Sequence, residues 1–259
     1  TGLFAAMQYE DAVLLDKEME FNIWRAPTDN DRKLKLDWLA ARYDHCMTNA
    51  YRTEYQVTDS GVTLRAKVGI APISLQKFLD LDVCWTISNS GAVTLALHAE
   101  RNTVFPELPR FGLRLFLPES FAKLTYCGLG PVESYVDKHQ ASYHGVFHST
   151  PAEQQEDYIR PQENGSHYDC DYASLASDRA VLTAVGEKTF SFQASIYTQE
   201  ELTAKAHNYE LRPCGSTVFC IDYRQAGIGS ASCGPMLLEK YQLKETEISF
   251  DVRLKPKLL

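Results

Sequence analysis

Short polar side chains occupy positions 28–31, just after Trp24 and Pro27, in the stretch 21-FNIWRAPTDND-31. Carboxylates and an amide at this density could bind the hydroxyl groups of a sugar, while the aromatic ring covers an apolar sugar face. The same side chains could instead hydrogen-bond nearby backbone amides and form an Asx turn after the proline. Composition favours the turn, and the sugar-binding interpretation stays open beside it.

A metal site is the second chemistry that the residue types suggest. His144 and His148 stand four residues apart in an apparent strand, with His139 upstream and Asp169 and Asp171 downstream. A spacing of four places two strand residues on one face, but too far apart to share an ion unless the strand bends. No HExxH motif or glycine-rich phosphate loop accompanies them. We therefore predict strand or surface histidines, and no metal ligand in this chain.

Nucleophilic chemistry has one candidate. Cys233 lies in 229-GSASCGP-235, a flexible turn, and no obvious base accompanies it in the sequence. We interpret it as a packed turn thiol, and the nucleophile stays open as the alternative. Glutamates are plentiful, but a retaining glycosidase needs two carboxylates held about 5 Å apart, which one sequence does not reveal. No catalytic residue is predicted here.

Bulk properties narrow the class of protein. The 259 residues carry a net charge of −8 with scattered Lys and Arg, which argues against a surface that follows nucleic-acid phosphates. Apolar runs fall far short of the roughly 20 residues that cross a bilayer. Seven cysteines at irregular spacings, without a C-x-x-C pair, favour reduced thiols in a cytoplasmic protein. The chain begins without Met in an apparent strand, and we interpret it as part of a longer polypeptide.

Most of the sequence alternates with the two-residue period of half-buried strands, broken by turn residues. Three hairpins are predicted, with strands at 54–57 and 62–68, at 83–87 and 92–99, and at 180–185 and 189–197. Further strands are predicted at 112–117, 216–223 and 248–254. Hairpins in this number predict a single large antiparallel sandwich over residues 1–259.

Helical signals are sparse. Asp37 could cap a short helix over 38–43, and Thr198 stands at capping-box spacing before a second over 202–205. Residues 149–165 predict a long polar loop, and loops of that length in compact domains usually carry function or lie buried against something.

Four stretches, in this order along the chain, resemble motifs of the large bacterial β-galactosidases of glycoside hydrolase family 2. The stretch 21-FNIWRAPTDND-31 resembles their RAP-x-DND motif, and 128-GLGPVESYVDK-138 resembles their G-x-GP-x-ENY-x-DR stretch. The stretch 158-YIRPQENG-165 resembles their RPQENG loop, and 227-GIGSASCGP-235 their GxG(G/S)-x-SCGP segment. Together the four matches are specific to the family's C-terminal domain, which is a separate small subunit in some members.

The resemblance implies a many-stranded antiparallel β-supersandwich of the galactose-mutarotase-like type, with few short helices. It implies part of a retaining β-galactosidase, which removes terminal non-reducing β-D-galactose from β-galactosides such as lactose. The family's catalytic glutamates belong to a (β/α)8 barrel, whose alternating pattern is missing here. We therefore expect a domain that buttresses and completes the active-site mouth, without the upstream barrel and its own first strands, and that is inactive in isolation.

The resemblance also assigns residues. The implied rim of the substrate pocket comprises Asp29, Asn30, Asp31, Arg32, Ser232 and Cys233. The implied structural motif residues are Arg25, Pro27, Gly128, Gly130, Pro131, Glu133, Arg160, Pro161, Glu163 and Asn164. The chain departs from the family pattern at Ser134, where Asn is usual, and at Lys138, where Arg is usual. At Cys233 some members have a tryptophan that stacks on the sugar, which a thiol does not replace.

The implied partners are the remainder of the β-galactosidase, on the same chain or as a large subunit, and the galactoside substrate. The full enzyme is expected to be a homo-oligomer without nucleic-acid or membrane partners. The family's Mg²⁺ and Na⁺ lie chiefly outside this domain, so no cofactor is expected here. Two other functions stay open on the implied fold: a free-standing aldose mutarotase and a galactose-binding module.

Overall fold

The computed structural model describes residues 1–259, and β-strands account for most of its regular structure. Fourteen strands and two α-helices occur along the chain, together with three short 3-10 helices. The strands are β1 Gln8–Tyr9, β2 Ala12–Val13, β3 Lys17–Asn22, β4 Cys46–Thr58, β5 Gly61–Pro72, β6 Leu79–Ser88, β7 Val93–Arg101, β8 Arg110–Pro118, β9 Lys123–Gly130, β10 Tyr143–Ser149, β11 Ser166–Ala176, β12 Ala180–Ser195, β13 Ser216–Gln225 and β14 Glu247–Leu258. The helices are α1 Leu34–Ala40 and α2 Gln199–Ala204, and the 3-10 helices are Asn30–Arg32, Asn208–Glu210 and Glu239–Tyr241.

Twelve strands form one antiparallel sheet with a branch at its longest strand. The main path runs β10-β9-β11-β12-β14-β7-β6-β5-β4. The second half of β12 pairs instead with β13, which continues to β8 and β3. A core of 47 buried residues takes inward side chains from both branches, such as Leu95 of β7 and Leu115 of β8. The predicted all-β fold with antiparallel strands and few short helices is confirmed.

Two predicted hairpins are confirmed and the third is wrong. β4 and β5 turn at Asp59–Ser60, and β6 and β7 turn after Ser88, as the alternation predicts. Residues 180–195 instead form one continuous strand, and the expected turn at 186–188 is a bulge within it. The cause of this bulge is long-range pairing. In β11, Tyr172 pairs with Val185 and Cys170 pairs with Phe190, so β11 holds both halves of β12 in line.

One of the two predicted helix caps is confirmed and the other is wrong. Helix α2 begins as predicted, since the Thr198 hydroxyl accepts a hydrogen bond from the Glu201 amide at 3.1 Å. Helix α1 begins at Leu34, so Asp37 lies inside the helix and the prediction that it caps is wrong. Burial of Leu34 and Trp38 against the core explains this earlier start. The predicted strand at the first residues is also wrong, because the first strand begins at Gln8.

Several loops meet at one end of the sheet, and this arrangement positions the site. β3 ends at Asn22 beside the start of β8, where β13 also ends opposite Arg110. β9 ends at Gly130 opposite the first residue of β10. The segments that leave these strands are 23–33, 131–142 and 226–238, and the predicted loop between β10 and β11 joins them.

Candidate functional site

A polar pocket of about 240 Å³ lies where these four loops meet. Each of the four motif stretches contributes to its wall. The lining residues are Thr28, Asp29, Asn30, Lys138, Tyr158, Gln162, Glu163, Ile228 and Gly229. Segments separated by up to about 200 positions in sequence therefore form one surface.

The first wall of the pocket is held by a buried ion pair. The guanidinium of Arg25 donates to both carboxylate oxygens of Asp31, at 2.7 and 3.3 Å, and both side chains are almost fully buried. The same guanidinium donates to the carbonyls of Ala226 and Gly227, at the start of the fourth motif. The Asp31 carboxylate also accepts from the amide of Thr28 at 2.9 Å, and the Thr28 hydroxyl accepts from the amide of Asp31 at 3.3 Å. This reciprocal pair is the pattern of a capping box, so the turn is held differently from the Asx turn that the composition favoured. The buried charges of this wall are therefore paired with each other and with backbone groups.

The other predicted rim residues contact the third and fourth motif loops. Asp29 is exposed, and its backbone amide donates to Gln162 Oε1 at 2.9 Å. Asn30 Nδ2 donates to the carbonyl of Ile228 at 2.6 Å. Arg32 donates to the carbonyl of Ser232 at 2.6 Å, so these two predicted rim residues are brought together. Asp31 contributes no carboxylate to the pocket surface, because its side chain is turned inward to Arg25.

Glu133 is the hub of the second wall. Its buried carboxylate accepts hydrogen bonds from Lys138 and Tyr158, and from the amide of Gly165 at 2.9 Å. Burial lowers the pKa of Lys138, but the hydrogen bond to Glu133, the charge of that carboxylate and the contacts with Tyr158 together outweigh burial, and the pKa is raised overall. The ammonium group therefore keeps its charge at the pocket surface, where it lies half-exposed.

A third set of charges lies beneath the pocket. Arg110 is fully buried and donates to Asp222 through two nitrogens and to Glu163 Oε2 at 3.2 Å. Gln193 joins the cluster by donating to Glu163 Oε1 at 3.2 Å, and Asn22 donates to Asp222 at 3.1 Å. Burial raises the pKa of Glu163, and the Arg110 guanidinium opposes that rise. The cluster ties β3, β8, β12 and β13 to the loop before β11.

Asp137 connects the second and fourth motifs. Its carboxylate accepts from the amides of Ile228 and Gly229, at 2.9 and 2.8 Å. A side chain at Gly227 would place its Cβ 2.5 Å from Asp137 Oδ2, so glycine is required for this close approach. Asp137 thereby fixes the backbone that closes the far side of the pocket.

Three residues that line the pocket have polar side-chain atoms without a partner inside the chain. The Asn30 Oδ1, the Gln162 Nε2 and the Asp29 carboxylate make no hydrogen bond within the protein. They supply one acceptor, one donor and one charged acceptor beside the Lys138 ammonium group. Because a sugar hydroxyl donates one hydrogen bond and accepts others, such a mixture of groups suits carbohydrate.

The structural motif residues lie around this wall. Pro161 and Asn164 are buried, and Asn164 accepts from the Glu156 amide at 3.0 Å and donates to Gln162 O at 2.9 Å. Arg160 is exposed and makes no hydrogen bond within the chain. Gly128 is buried in β9, where a Cβ would lie 2.2 Å from Cys170 Sγ. Pro27 is half-buried, Gly130 ends β9, and Pro131 follows it through a cis peptide bond.

The structure contradicts the predictions made for Trp24 and Cys233. Trp24 is a core residue whose Nε1 donates to Thr203 Oγ1 at 3.0 Å, so the idea that it covers a sugar face is wrong. Cys233 is exposed in the fourth loop and is not a packed turn thiol. Ser134 stands where the family usually has Asn. Its hydroxyl donates to Leu129 O at 2.9 Å and accepts from the Tyr168 amide at 2.9 Å.

The sequence analysis does not identify several residues of this site. Arg110 and Asp222 were missed, although a charged residue inside the apolar run 218-VFCIDY-223 is a signal of a buried partner. Tyr158 and Gln162 lie inside recognised motifs, but nothing in the sequence shows that they line the pocket. The fold and this site define a class: an all-β protein with a polar pocket formed by the loops at one end of its sheet.

The sequence of the chain matches one family almost from end to end. The profile of the family described as Beta galactosidase small chain covers residues 1–254. The chain belongs to this family. It is 44% identical to a β-galactosidase of Actinobacillus pleuropneumoniae over 97% of this chain and 25% of that protein. It is 35% identical to a β-galactosidase of Staphylococcus xylosus over 94% of this chain and 24% of that protein. The chain thus spans about a quarter of the length of these relatives.

Two solved structures match the chain with low structural similarity and low sequence identity. A galactose mutarotase-like protein from Lactobacillus casei superposes with a TM-score of 0.42 at 9% identity, covering 94% of this chain and 86% of its own. A GalM/aldose epimerase homologue from C. elegans gives 0.39 at 8% identity, covering 81% and 70%. Separately, the chain contains no helix with the length and apolarity needed to span a membrane.

Proposed function

We propose that this chain is a component of a β-galactosidase that hydrolyses terminal non-reducing β-D-galactose from β-galactosides such as lactose. In this proposal the four-motif pocket forms one wall of the active-site mouth. Membership of the small-chain family and the names of its relatives support a β-galactosidase component. The role at the mouth rests on the geometry of the pocket.

The observation that carries the proposal is the convergence of the four motifs around one polar opening. A volume of about 240 Å³ is smaller than the roughly 300–1,000 Å³ of complete small-molecule sites. A pocket of this size fits a wall that a second domain completes. Its exposed groups are hydrogen-bonding groups, which suits substrate positioning.

The chemistry of the proposed enzyme divides between this chain and the rest of the protein. Two carboxylates of an absent (β/α)8 barrel would form and hydrolyse a covalent galactosyl intermediate with retention. In this chain, Asn30 Oδ1 would accept from a sugar hydroxyl and Gln162 Nε2 would donate to one. The buried Arg25, Asp31 and Glu133 would hold these groups in place, because binding energy is lost when positioning groups move.

Cations and partners follow from the same proposal. Mg²⁺ and Na⁺ would belong to the remainder of the enzyme, since Asp29 stands in the pocket among amides and an ammonium group. Hard cations prefer several oxygen ligands, and the half-exposed Lys138 ammonium group in the pocket would repel a second cation there. The proposed partners are the catalytic barrel and N-terminal domains, on the same chain or as a large subunit, within a homo-oligomer. A cytoplasmic location is proposed because all seven cysteines are free thiols.

The decisive experiment compares three samples with a chromogenic β-galactoside: this chain, the remainder of the enzyme, and the complete enzyme. We expect turnover by the complete enzyme and none by this chain. Efficient hydrolysis by the purified chain would contradict the division of labour. Polarimetry on freshly dissolved α-galactose tests the mutarotase alternative in the same samples, and acceleration by the chain alone would favour that alternative.

A further inference from the structure

Three side chains from neighbouring strands meet on the outer face of the sheet. Cys127 of β9 is paired with Val146 of β10, and His144 lies two residues from that position on the same face. Diagonal neighbours of this kind are within reach of each other across an antiparallel pair. Asp171 of β11 approaches Cys127 from the other side.

A bulge in β11 brings Asp171 to this face. Tyr172 is directly opposite Cys127 in the ladder, so a regular strand would turn its neighbour Asp171 to the inner face. The pairing of β11 with β12 shifts register on both sides of Cys170, and Asp169 has a positive φ of 56°. Bulges reorient side chains in this way, and here the carboxylate ends beside the thiol and the imidazole.

The distances between the donor atoms match a common metal geometry. His144 Nε2 lies 3.2 Å from Asp171 Oδ2, and Cys127 Sγ lies 3.4 Å from the same oxygen. All three donor atoms lie within 4.8 Å of one another. Zinc bonds of about 2.0 Å to nitrogen or oxygen and about 2.3 Å to sulfur place tetrahedral donors about 3.3–3.8 Å apart. Small rotations of the side chains would therefore admit one ion.

We propose that Cys127, His144 and Asp171 form a three-ligand site for Zn²⁺ or a similar borderline divalent cation. The mixture of one thiolate, one imidazole and one carboxylate selects this class over Mg²⁺ and Ca²⁺, which prefer oxygen alone. About half of the His144 and Asp171 side chains is exposed, at 46% and 53%, so solvent reaches a fourth position. This departs from the expectation, drawn from spacing within one strand, that no metal is bound.

Binding would exchange a proton for the ion. In the ion-free state the Cys127 S–H donates to the Asp171 carboxylate, and that proton passes to solvent as the sulfur coordinates the cation. The bound ion would join β9, β10 and β11 through side chains. Because β10 is the edge strand of the sheet, the ion would link that edge to its neighbours.

Zinc titration against a chromogenic chelator tests the site. We expect one Zn²⁺ per chain, and a loss of affinity of roughly ten-fold or more in each of Cys127→Ser, His144→Ala and Asp171→Asn. His148→Ala removes an exposed histidine from the same strand face, and Cys233→Ser removes the exposed thiol, so both controls should bind as the parent does. Absent binding in the parent, or equal loss in targets and controls, would overturn the proposal.

Cobalt provides a second measurement that does not depend on affinity alone. Co²⁺ bound through a thiolate gives a sulfur-to-metal charge-transfer absorption, which should vanish in Cys127→Ser and persist in Cys233→Ser. Far-ultraviolet circular dichroism checks that each variant keeps the parent's strand content. A folded Cys127→Ser variant that retains the absorption would show that another thiol binds the ion, and would contradict the assignment.

Discussion

Arg25 and Asp31, six positions apart, form a buried bidentate ion pair. Two guanidinium nitrogens of Arg25 lie 2.7 and 3.3 Å from the two carboxylate oxygens of Asp31. The pair closes the loop that precedes α1, and the free donors of Arg25 reach the backbone at Ala226 and Gly227. The Arg25 guanidinium also lies over the Trp38 ring, at 5.1 Å from its centroid. One side chain thereby joins two motifs that lie about 200 residues apart.

Removing the carboxylate of this pair should destabilise the fold strongly. Asp31→Ala leaves a buried guanidinium without its counter-charge, and we expect a loss of about 3–5 kcal/mol in the free energy of unfolding. Denaturant titration measures this. Asp29→Ala, two residues away and exposed, should change the free energy by about 0.5 kcal/mol or less. Similar losses in both variants would show that the ion pair is not the cause.

Asn30 is predicted to contact substrate. In the complete enzyme Asn30→Ala should raise KM or lower kcat so that kcat/KM falls roughly five-fold, equivalent to about 1 kcal/mol for one hydrogen bond. The melting temperature should stay close to that of the parent. Asn89→Ala is the matched control, because Asn89 Nδ2 also donates to a backbone carbonyl in an exposed turn. A lower melting temperature with unchanged kinetics would identify Asn30 as a structural turn residue.

Two glycine substitutions separate close packing from chain flexibility in the fourth loop. Gly227→Ala forces a Cβ to within 2.5 Å of Asp137 Oδ2, and should cost about 1–3 kcal/mol in unfolding free energy. Gly234 has no atom within 4 Å of its would-be Cβ, so Gly234→Ala should be nearly neutral. Thermal melts of the two variants test this. Equal stabilities would mean that Asp137 moves aside without loss.

His167 should make stability fall in mild acid. Burial lowers the pKa of His167 to about 4 from an ordinary value near 6.5, so the folded state favours the neutral ring. The unfolded chain therefore takes up a proton first, and stability is lost as pH falls from about 6.5 to about 4, by up to about 3 kcal/mol. Urea unfolding across this range should show a shallower pH dependence in His167→Gln than in the parent. His148→Gln, on the exposed strand face, should retain the parent's slope.

Local alternation predicted strands well wherever the sequence neighbour is also the pairing partner. The β4–β5 and β6–β7 hairpins fall into this class, because two adjacent segments and a turn contain all the information required. The long strand β12 does not, since its two halves are aligned by distant partners in β11, β13 and β14. Turn-forming residues at 186–188 therefore became a bulge, because ladder pairing outweighed a local preference.

The candidate site shows a similar division. The four motifs could be picked out along the chain, and the resemblance assigned them to one family, which the family comparison bears out. Inward or outward direction of each carboxylate could not be foreseen. Asp29 and Asp31 have the same chemistry two positions apart, yet one is exposed and the other is buried against Arg25. That choice depends on a cation and on backbone carbonyls that the fold supplies from elsewhere.

The sequence by itself determined the all-β class, the hairpin-rich organisation and the family, because alternation and ordered motifs are local properties of the chain. Only the tertiary structure decided which polar groups meet in the pocket and that Cys127, His144 and Asp171 share one face. Their meeting depends on strand register and on a bulge, and both are set by hydrogen-bonded partners far away in sequence. Spacing along one strand had argued against a shared ion, whereas pairing across three strands brings the donors together.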